Sequence, residues 1–404
     1  MPATIRLTHS TMRTITTARR RNKETTVKRF LACMPVMACT LAHAQSSVTL
    51  YGAVDAALTY TNNQKGASVY QASSGGRAGD KFGLQGIEDL GGGLRTVFVL
   101  ESGFSIEDGS EQPSNTLFGR QAYAGLSGGW GTVLLGRQYT LTNDYLGPLG
   151  TDTLFAGGLG ATLGDLDASW NYNKISNVIK FNSNDYRGFR FSTMYSLGGV
   201  AGHFAANRVY GFGASYVRGG LTVAAAYMNM STPATSVFWA NTAPIAGAAY
   251  ALPVTNPIYS AYTTAGTQQV AGAGAGYTFG RSEITVLYTN VRFQDIVRTL
   301  ANPSVQPNAA FNSYQVNYQF RFTPATMAGV GYQYGAAPRA TYQAVDLGAA
   351  YFLSKSTYLY AIGVWAHASG TDSTGQHAVP DLLGLAPSSN SNQLALRIGL
   401  RHLF

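Results

Sequence analysis

The chain has few thiols: Cys33 and Cys39 are its only cysteines, and none follows residue 39. A mature protein that begins beyond them has neither a disulfide nor a thiolate metal site, so packing and backbone pairing must hold it together. Long apolar runs are equally scarce. No stretch after Ala44 approaches the roughly 20 residues of a membrane-spanning helix. If the chain enters a bilayer it must do so as a closed barrel, the other architecture that satisfies its own backbone groups in lipid. Charged residues make up only 12% of the chain, and the excess of one sign misleads. Residues 1–44 hold eight Lys/Arg and one acid; without them the 28 basic and 19 acidic residues become 20 and 18, and the net charge falls from +9 to +2. The basic balance therefore gives no ground for a nucleic-acid partner. Histidine is rare too: beyond Ala44 there are only His203, His367, His377 and His402. No Ser/His/acid set and no group at metal-ligand spacing can be assembled from them, so neither an enzyme nor a metal or cofactor site is expected.

The segment that carries the excess charge reads as an export signal. Arg13, Arg19, Arg20, Arg21, Lys23, Lys28 and Arg29 precede an apolar run from Phe30 to Leu41, followed by Ala42-His43-Ala44. A charged region, a short apolar region and a small-x-small site in that order specify a secretory signal peptide, with cleavage expected after Ala44 and a mature chain of 45–404. A rival reading takes Val36-Met37-Ala38-Cys39 as a lipoprotein box acylated at Cys39, which would leave the better peptidase site at Ala44 unused.

What the mature chain does have is alternation. In its last thirteen residues Leu394, Leu396, Ile398, Leu400 and Phe404 share one strand face, while Arg397 and Arg401 lie on the other. Such a strand needs an apolar phase on one side and water on the other. Val48, Leu50, Val54, Ala56, Leu58 and Tyr60 oppose Thr49, Asp55 and Thr59 at the other end; Tyr314, Val316, Tyr318 and Phe320 oppose Gln315, Asn317, Gln319 and Arg321 between them. The pattern predicts sixteen strands near 48–60, 80–88, 93–101, 119–126, 131–139, 174–183, 188–197, 209–217, 220–229, 268–279, 282–292, 311–321, 325–334, 341–352, 356–366 and 391–404. An even count of this size fits an all-β, antiparallel transmembrane barrel with an aqueous lumen. The connections alternate as well. Tiny turns such as 218–219 and 280–281 are interleaved with mostly long segments such as 61–79, 140–173, 230–267, 293–310 and 367–390. That places turns on one rim and long loops on the other, a rule a soluble sandwich has no reason to obey.

Five stretches in register with these strands carry a family resemblance: SSVTLYGAVDAAL, FGLQGIEDLGGGLRTVFVLESGF, FGRQAYAGLSGGWGTVLLGRQY, YFLSKSTYLYA and LRIGLRHLF. They resemble the trimeric general porins of Gram-negative β-proteobacteria over essentially Ser46 to Phe404. The resemblance implies a homotrimer of sixteen-stranded barrels in the outer membrane, passing small hydrophilic solutes and ions by diffusion. It implies that loop 140–173 folds inward as a constriction, and that terminal Phe404 belongs to the signal read by the barrel-assembly machinery.

For such a channel the chemistry is the electrostatics of its narrowest point. The resemblance points to Lys81, Arg120 and Lys174 as constriction bases, with two lysines where arginine is usual and Gln85 in place of a frequent base. Lysine keeps the charge but loses bidentate geometry, which disfavours a tight anion site. Arg137 shares a face with Val133 and Leu135, and parity leaves it either lumenal after a bulge or buried at a subunit contact. Asp55, Arg397 and Arg401 have lumenal parity. In the inward loop, Asp144, Asp152, Asp165 and Asp167 are the acids available to oppose a basic wall and set up a transverse field.

Two glycine patterns need separate readings. Gly158 to Gly164 spells GxGxxxG without a surrounding βαβ unit, so it reads as a flexible loop segment and not a nucleotide site. Gly272, Gly274 and Gly276 leave one strand face bare, as a wall on which the inward loop packs would require. A channel with a specific small organic-acid site is the alternative within transport, and a barrel-anchored adhesin using the long loops is the alternative outside it.

Overall fold

The computed structural model describes residues 46–113, 115–170, 174–233, 256–299 and 303–404. The expected export segment, its cleavage site and both cysteines lie outside the described residues.

β1 (Ser47–Gln64) pairs along its first part with β3 (Lys81–Gly91), from Ser47 opposite Ile87 to Ala53 opposite Lys81. Its remainder pairs with β2 (Ala67–Ser74), from Ala56 opposite Ser74 to Gln64 opposite Ala67. β2 and β3 thus share one position in the ring, interrupted by residues 75–80, which tuck inward. The sixteen strands expected from alternation are all present; β2, lying in what reads as loop in the sequence, is the addition. From β3 onward each strand pairs antiparallel with the next. They are β4 (Leu94–Gly103), β5 (Gln121–Gly128), β6 (Gly131–Tyr139), β7 (Lys174–Asn182), β8 (Phe189–Ser196), β9 (Val209–Arg218), β10 (Leu221–Ser231) and β11 (Thr267–Phe279). The second half of the ring comprises β12 (Ser282–Gln294), β13 (Ala309–Thr323), β14 (Thr326–Ala336), β15 (Ala340–Phe352), β16 (Thr357–Gly370) and β17 (Asn392–Leu403). β17 closes the barrel on β1, from Ala53 opposite Leu403 to Thr61 opposite Ala395. Phe404 extends this closure, exchanging backbone hydrogen bonds of 3.2 and 2.9 Å with Gly52.

The alternation sorts side chains as a membrane wall requires. Val48, Leu50, Leu58, Leu347, Leu353 and Ile398 are exposed on the outside, while Asp55, Thr59, Gln315, Asn317 and Asp346 are buried on the inside. Outward aromatics gather near both rims: Trp130, Phe189, Phe279 and Phe322 toward the short turns, and Tyr70, Tyr288, Tyr314 and Trp365 toward the loops. These are the two girdles of a bilayer-spanning barrel. Among the described residues no helix is long and apolar enough to cross a membrane. Two of the tightest turns depend on glycine, with Gly219 and Gly280 at φ of +60° and +59°.

The long segment between β6 and β7 lies inside the barrel. Thr140 caps its short helix α1 (Leu141–Tyr145), accepting from the Asn143 N–H at 3.1 Å. Single turns follow at Gly147–Leu149, Asp152–Ala156, Gly157–Gly160 and Thr162–Gly164. α1 lies against β8 to β11, the next turn against β11 and β12, and the Asp152–Ala156 turn against β14 to β16. The wall is hollowed to receive it. A Cβ on Gly213 would sit 2.3 Å from the Tyr145 ring, one on Gly274 2.8 Å from Leu149, and one on Gly329 2.3 Å from Phe155. Gly272, Gly274 and Gly276 are bare because Leu146 and Leu149 pack there, as the sequence suggests. Leu141, Leu146, Leu149, Phe155 and Leu159 are all buried, each contributing about 1.5–3 kcal/mol of apolar burial that fixes the loop to its track.

Candidate functional site

The half of the lumen that the inward loop leaves uncovered is lined by ionised side chains. Residues 75–80 tuck into it because Asp55, wholly buried on β1, accepts from the backbone N–H groups of Arg77 (2.9 Å) and Ala78 (3.0 Å). The same carboxylate accepts from Tyr360 Oη at 2.6 Å and from Arg401 Nη1 at 3.1 Å. Asp55 therefore anchors the tucked segment, with its charge matched by Arg401. Arg397 donates to Thr59 Oγ1 and to the Gly76 carbonyl, each at 2.8 Å, and fixes the same segment from the other side.

A second cluster centres on Glu101, on the inner face of β4 and 1% exposed. It accepts from Lys81 Nζ, Arg120 Nε, Tyr139 Oη and Tyr51 Oη, all at 2.9 Å. Arg120 also donates from Nη2 to Tyr139 Oη at 2.8 Å. Lys174 is buried with its Nζ 5.9 Å from the centre of the Tyr139 ring. One fully bonded carboxylate thus organises two cations, with a third nearby, and the cluster keeps a positive balance.

These groups border a cavity of about 270 Å³ whose charged lining is Arg77, Lys81, Arg120 and Arg401 against Asp144 alone. A second cavity of about 270 Å³ lies toward the turn rim, lined by Tyr358, Lys355 and Glu283 among others. The two cavities share Arg77, Pro148, Thr153 and Arg401.

The four loop acids do not act together as a row facing this wall. Asp144 lines the cavity and pairs with Lys180. Asp152, Asp165 and Asp167 are buried, at 2% exposure or less. Asp165 accepts from the Trp170 N–H at 2.8 Å, and Asp167 from Thr289 Oγ1 at 2.8 Å on β12. Their carboxyl groups are bonded to backbone N–H groups of the loop and to a hydroxyl of the wall. Burial pushes the Asp152 carboxyl up to about 8, so this acid is largely uncharged at neutral pH. The apolar footing of the loop decides their direction, and strand parity says nothing about it.

Arg137 also stands apart from the cavity. Its guanidinium donates to the Gly119 carbonyl and to Ser176 Oγ, both at 2.7 Å, where the β6–β7 register shifts between Gly136 and Gln138. Residues that sequence reasoning missed are Glu101, Tyr139, Lys180 and Arg77. Glu101 has inward parity on β4, and its position twenty residues from Lys81 and nineteen from Arg120 carries no local signal. Lys180 does have a usable signal: it alternates inward with Val178, opposite the exposed Ile179.

Comparison with known proteins agrees with this architecture. Residues 31–371 match the Gram-negative porin family. Outer membrane porin protein 32 of Delftia acidovorans is 27% identical over 94% of this chain and 100% of its own length. An outer membrane porin protein of Bordetella pertussis is 36% identical over 46% of this chain and 54% of its own length, so the chain matches about half of that relative. Among solved structures, an anion-selective porin from Comamonas acidovorans shares the fold with a TM-score of 0.69 at 22% identity, covering 89% of this chain and all of that one. A closed sixteen-position barrel, an inward loop, an ion-lined lumen and a family match over most of the sequence lead to one assignment: the chain belongs to the Gram-negative porin family, as an outer-membrane barrel whose lumen is a passive path for small hydrophilic solutes.

Proposed function

We propose that the channel favours anions, with Lys81 and Arg120 as constriction bases and Lys174 as a supporting charge beside them. The observation that carries the reading is the lining of the cavity: four cationic side chains and one carboxylate, the latter already paired with Lys180. Glu101 and Asp55 each offset one cation, which leaves the wall net positive, and rings of basic side chains lower the energy of a passing anion. The anion selectivity named for the Comamonas structure points the same way. The pairing of Lys81 and Arg120 with Glu101 supports diffusion over tight capture, because ammonium and guanidinium donors already bound to a carboxylate are not free to clamp a solute.

The assembly belongs to the same proposal: a homotrimer, with Phe404 read by the barrel-assembly machinery. The outward row of β5, Ala122, Ala124 and Leu126, carries two alanines and no aromatic where the far wall carries Tyr288, Tyr314 and Tyr332, a surface better suited to close protein packing than to a lipid girdle. Phe404 supports the second point by sealing the last strand to the first. The test is single-channel recording of refolded mature protein in a planar bilayer. Ohmic steps grouped in threes support an open trimeric pore; a folded barrel that gives no steps would overturn the channel and leave a surface-interaction role.

A further inference from the structure

We propose that Arg77 is the strut that sets the aperture of this pore and adds a positive charge at its lip, an inference that rests on the diffusion-channel reading and adds a residue outside the strand motifs. Three observations carry it. Arg77 is held at both ends: its main-chain N–H is bound to Asp55 on the wall, while its guanidinium reaches the inward loop and donates from Nη1 to the Asp152 carbonyl at 2.7 Å and from Nη2 to the Thr153 carbonyl at 2.6 Å. The planar fork thus bridges the first loop and the third with two charge-assisted bonds. Packing leaves no slack beneath it, since a Cβ on Gly157 would lie 2.7 Å from the Gly76 carbonyl and 3.1 Å from Arg77 Cα.

The second observation is position. Arg77 belongs to the lip shared by the two lumenal cavities, together with Arg401, Pro148 and Thr153. Solute moving from one cavity to the other passes this lip, whose width is fixed on the loop side by the segment that Arg77 holds. The third is charge. Among the described residues, Lys81, Arg120, Lys180, Arg190 and Arg401 are ion-paired, and Arg77 makes no such pair. Its guanidinium partners are neutral carbonyls, and Asp55, which holds its main chain, is already ion-paired with Arg401. A single side chain therefore couples aperture to selectivity: removing it loosens the loop and weakens the positive potential together.

The test separates these effects with Arg77→Ala, which removes strut and charge, and Arg77→Lys, which keeps the charge but replaces the planar fork by a compact ammonium. Heat-dependent gel mobility establishes folding of each variant before bilayer recording. Arg77→Ala is expected to raise single-channel conductance by roughly 1.5- to 2-fold, admit larger neutral sugars in a liposome-swelling assay, and lower the anion-to-cation permeability ratio roughly twofold. Arg77→Lys is expected to raise conductance with the permeability ratio retained. Wild-type conductance and wild-type size cut-off in Arg77→Ala, or a fall in conductance, would overturn the strut. If Arg77→Ala does not fold, Arg77→Lys decides: increased conductance supports the strut and unchanged conductance overturns it. Wild-type protein that folds but does not conduct would instead defeat the underlying channel reading.

Discussion

The two halves of the lumen wall are built from the same alternating strands and do opposite work. From β9 to β15 the inward positions are almost all uncharged, with small residues and amides interspersed with Met228, Val270, Leu287 and Phe293, and Gly213, Gly274 and Gly329 are seats for Tyr145, Leu149 and Phe155. On the side formed by β1, β3 to β7 and β17, the inward positions hold Asp55, Lys81, Glu101, Lys174, Lys180, Arg397 and Arg401, and the lumen stays open beside them. Alternation tells only that a residue points inward. Whether inward means against a packed loop or against water follows the absence of charge and the glycine seats, because an apolar loop docks where the wall is uncharged and locally hollow. The lumen is therefore asymmetric by construction: an uncharged half that seats the inward loop and a charged half beside the open cavity.

Reversing a charge on the open half should give the largest effect. A unit charge about 8 Å from an ion in water contributes about 0.5 kcal/mol, or about 0.2 kcal/mol after screening at physiological salt, with opposite sign for cations and anions. Arg120→Glu changes two charge units, so the permeability ratio is expected to move roughly fourfold toward cations; an unchanged zero-current potential would remove Arg120 from the conduction path. Filling the packed half should act on size instead. Gly213→Val would drive a side chain into Tyr145 at a cost of about 1–3 kcal/mol, displacing the loop into the lumen. Lower conductance with unchanged ion preference is expected, and a selectivity change of the Arg120→Glu size would break the division of labour.

The smallest expected effect is a pH response of the loop. Asp152 is raised by burial from 3.8 to about 8. Below about pH 4 the proton is bound whether the loop is docked or not. Between about 4 and 8 only the docked state keeps it, so docking weakens as pH rises, and above about 8 no further loss follows. The protection factors of the loop amides, taken relative to the intrinsic base-catalysed exchange rate, should therefore fall as pH rises from about 4 to about 8 in the wild type and stay constant in Asp152→Asn. Equal slopes in the two proteins would show that another group titrates.

Much of this fold was legible in the sequence because strand parity and the short-long order of connections are local patterns. The bare face at Gly272 to Gly276 even indicated where the inward loop would sit. The tuck at 75–80 was not legible: Ser73-Ser74-Gly75-Gly76 has no periodicity and reads as solvent loop, and its inward course depends on Asp55, some twenty residues earlier. The same limit applies to Glu101, whose four partners come from four different segments, and to the loop acids, whose direction follows from apolar docking. Lys81, Arg120 and Asp144 could be named from the sequence and do line one cavity; their partners could not, because ion pairing across a barrel is set by closure and not by spacing.

The most direct test of the asymmetric, net-positive lumen is the zero-current potential of the wild-type channel across a tenfold potassium chloride gradient. A potential with the sign of chloride preference, shrinking as ionic strength rises, is the expected result. A potential of cation-preferring sign would mean that the acids, and not Arg77, Lys81, Arg120 and Arg401, govern the path, and would contradict the account.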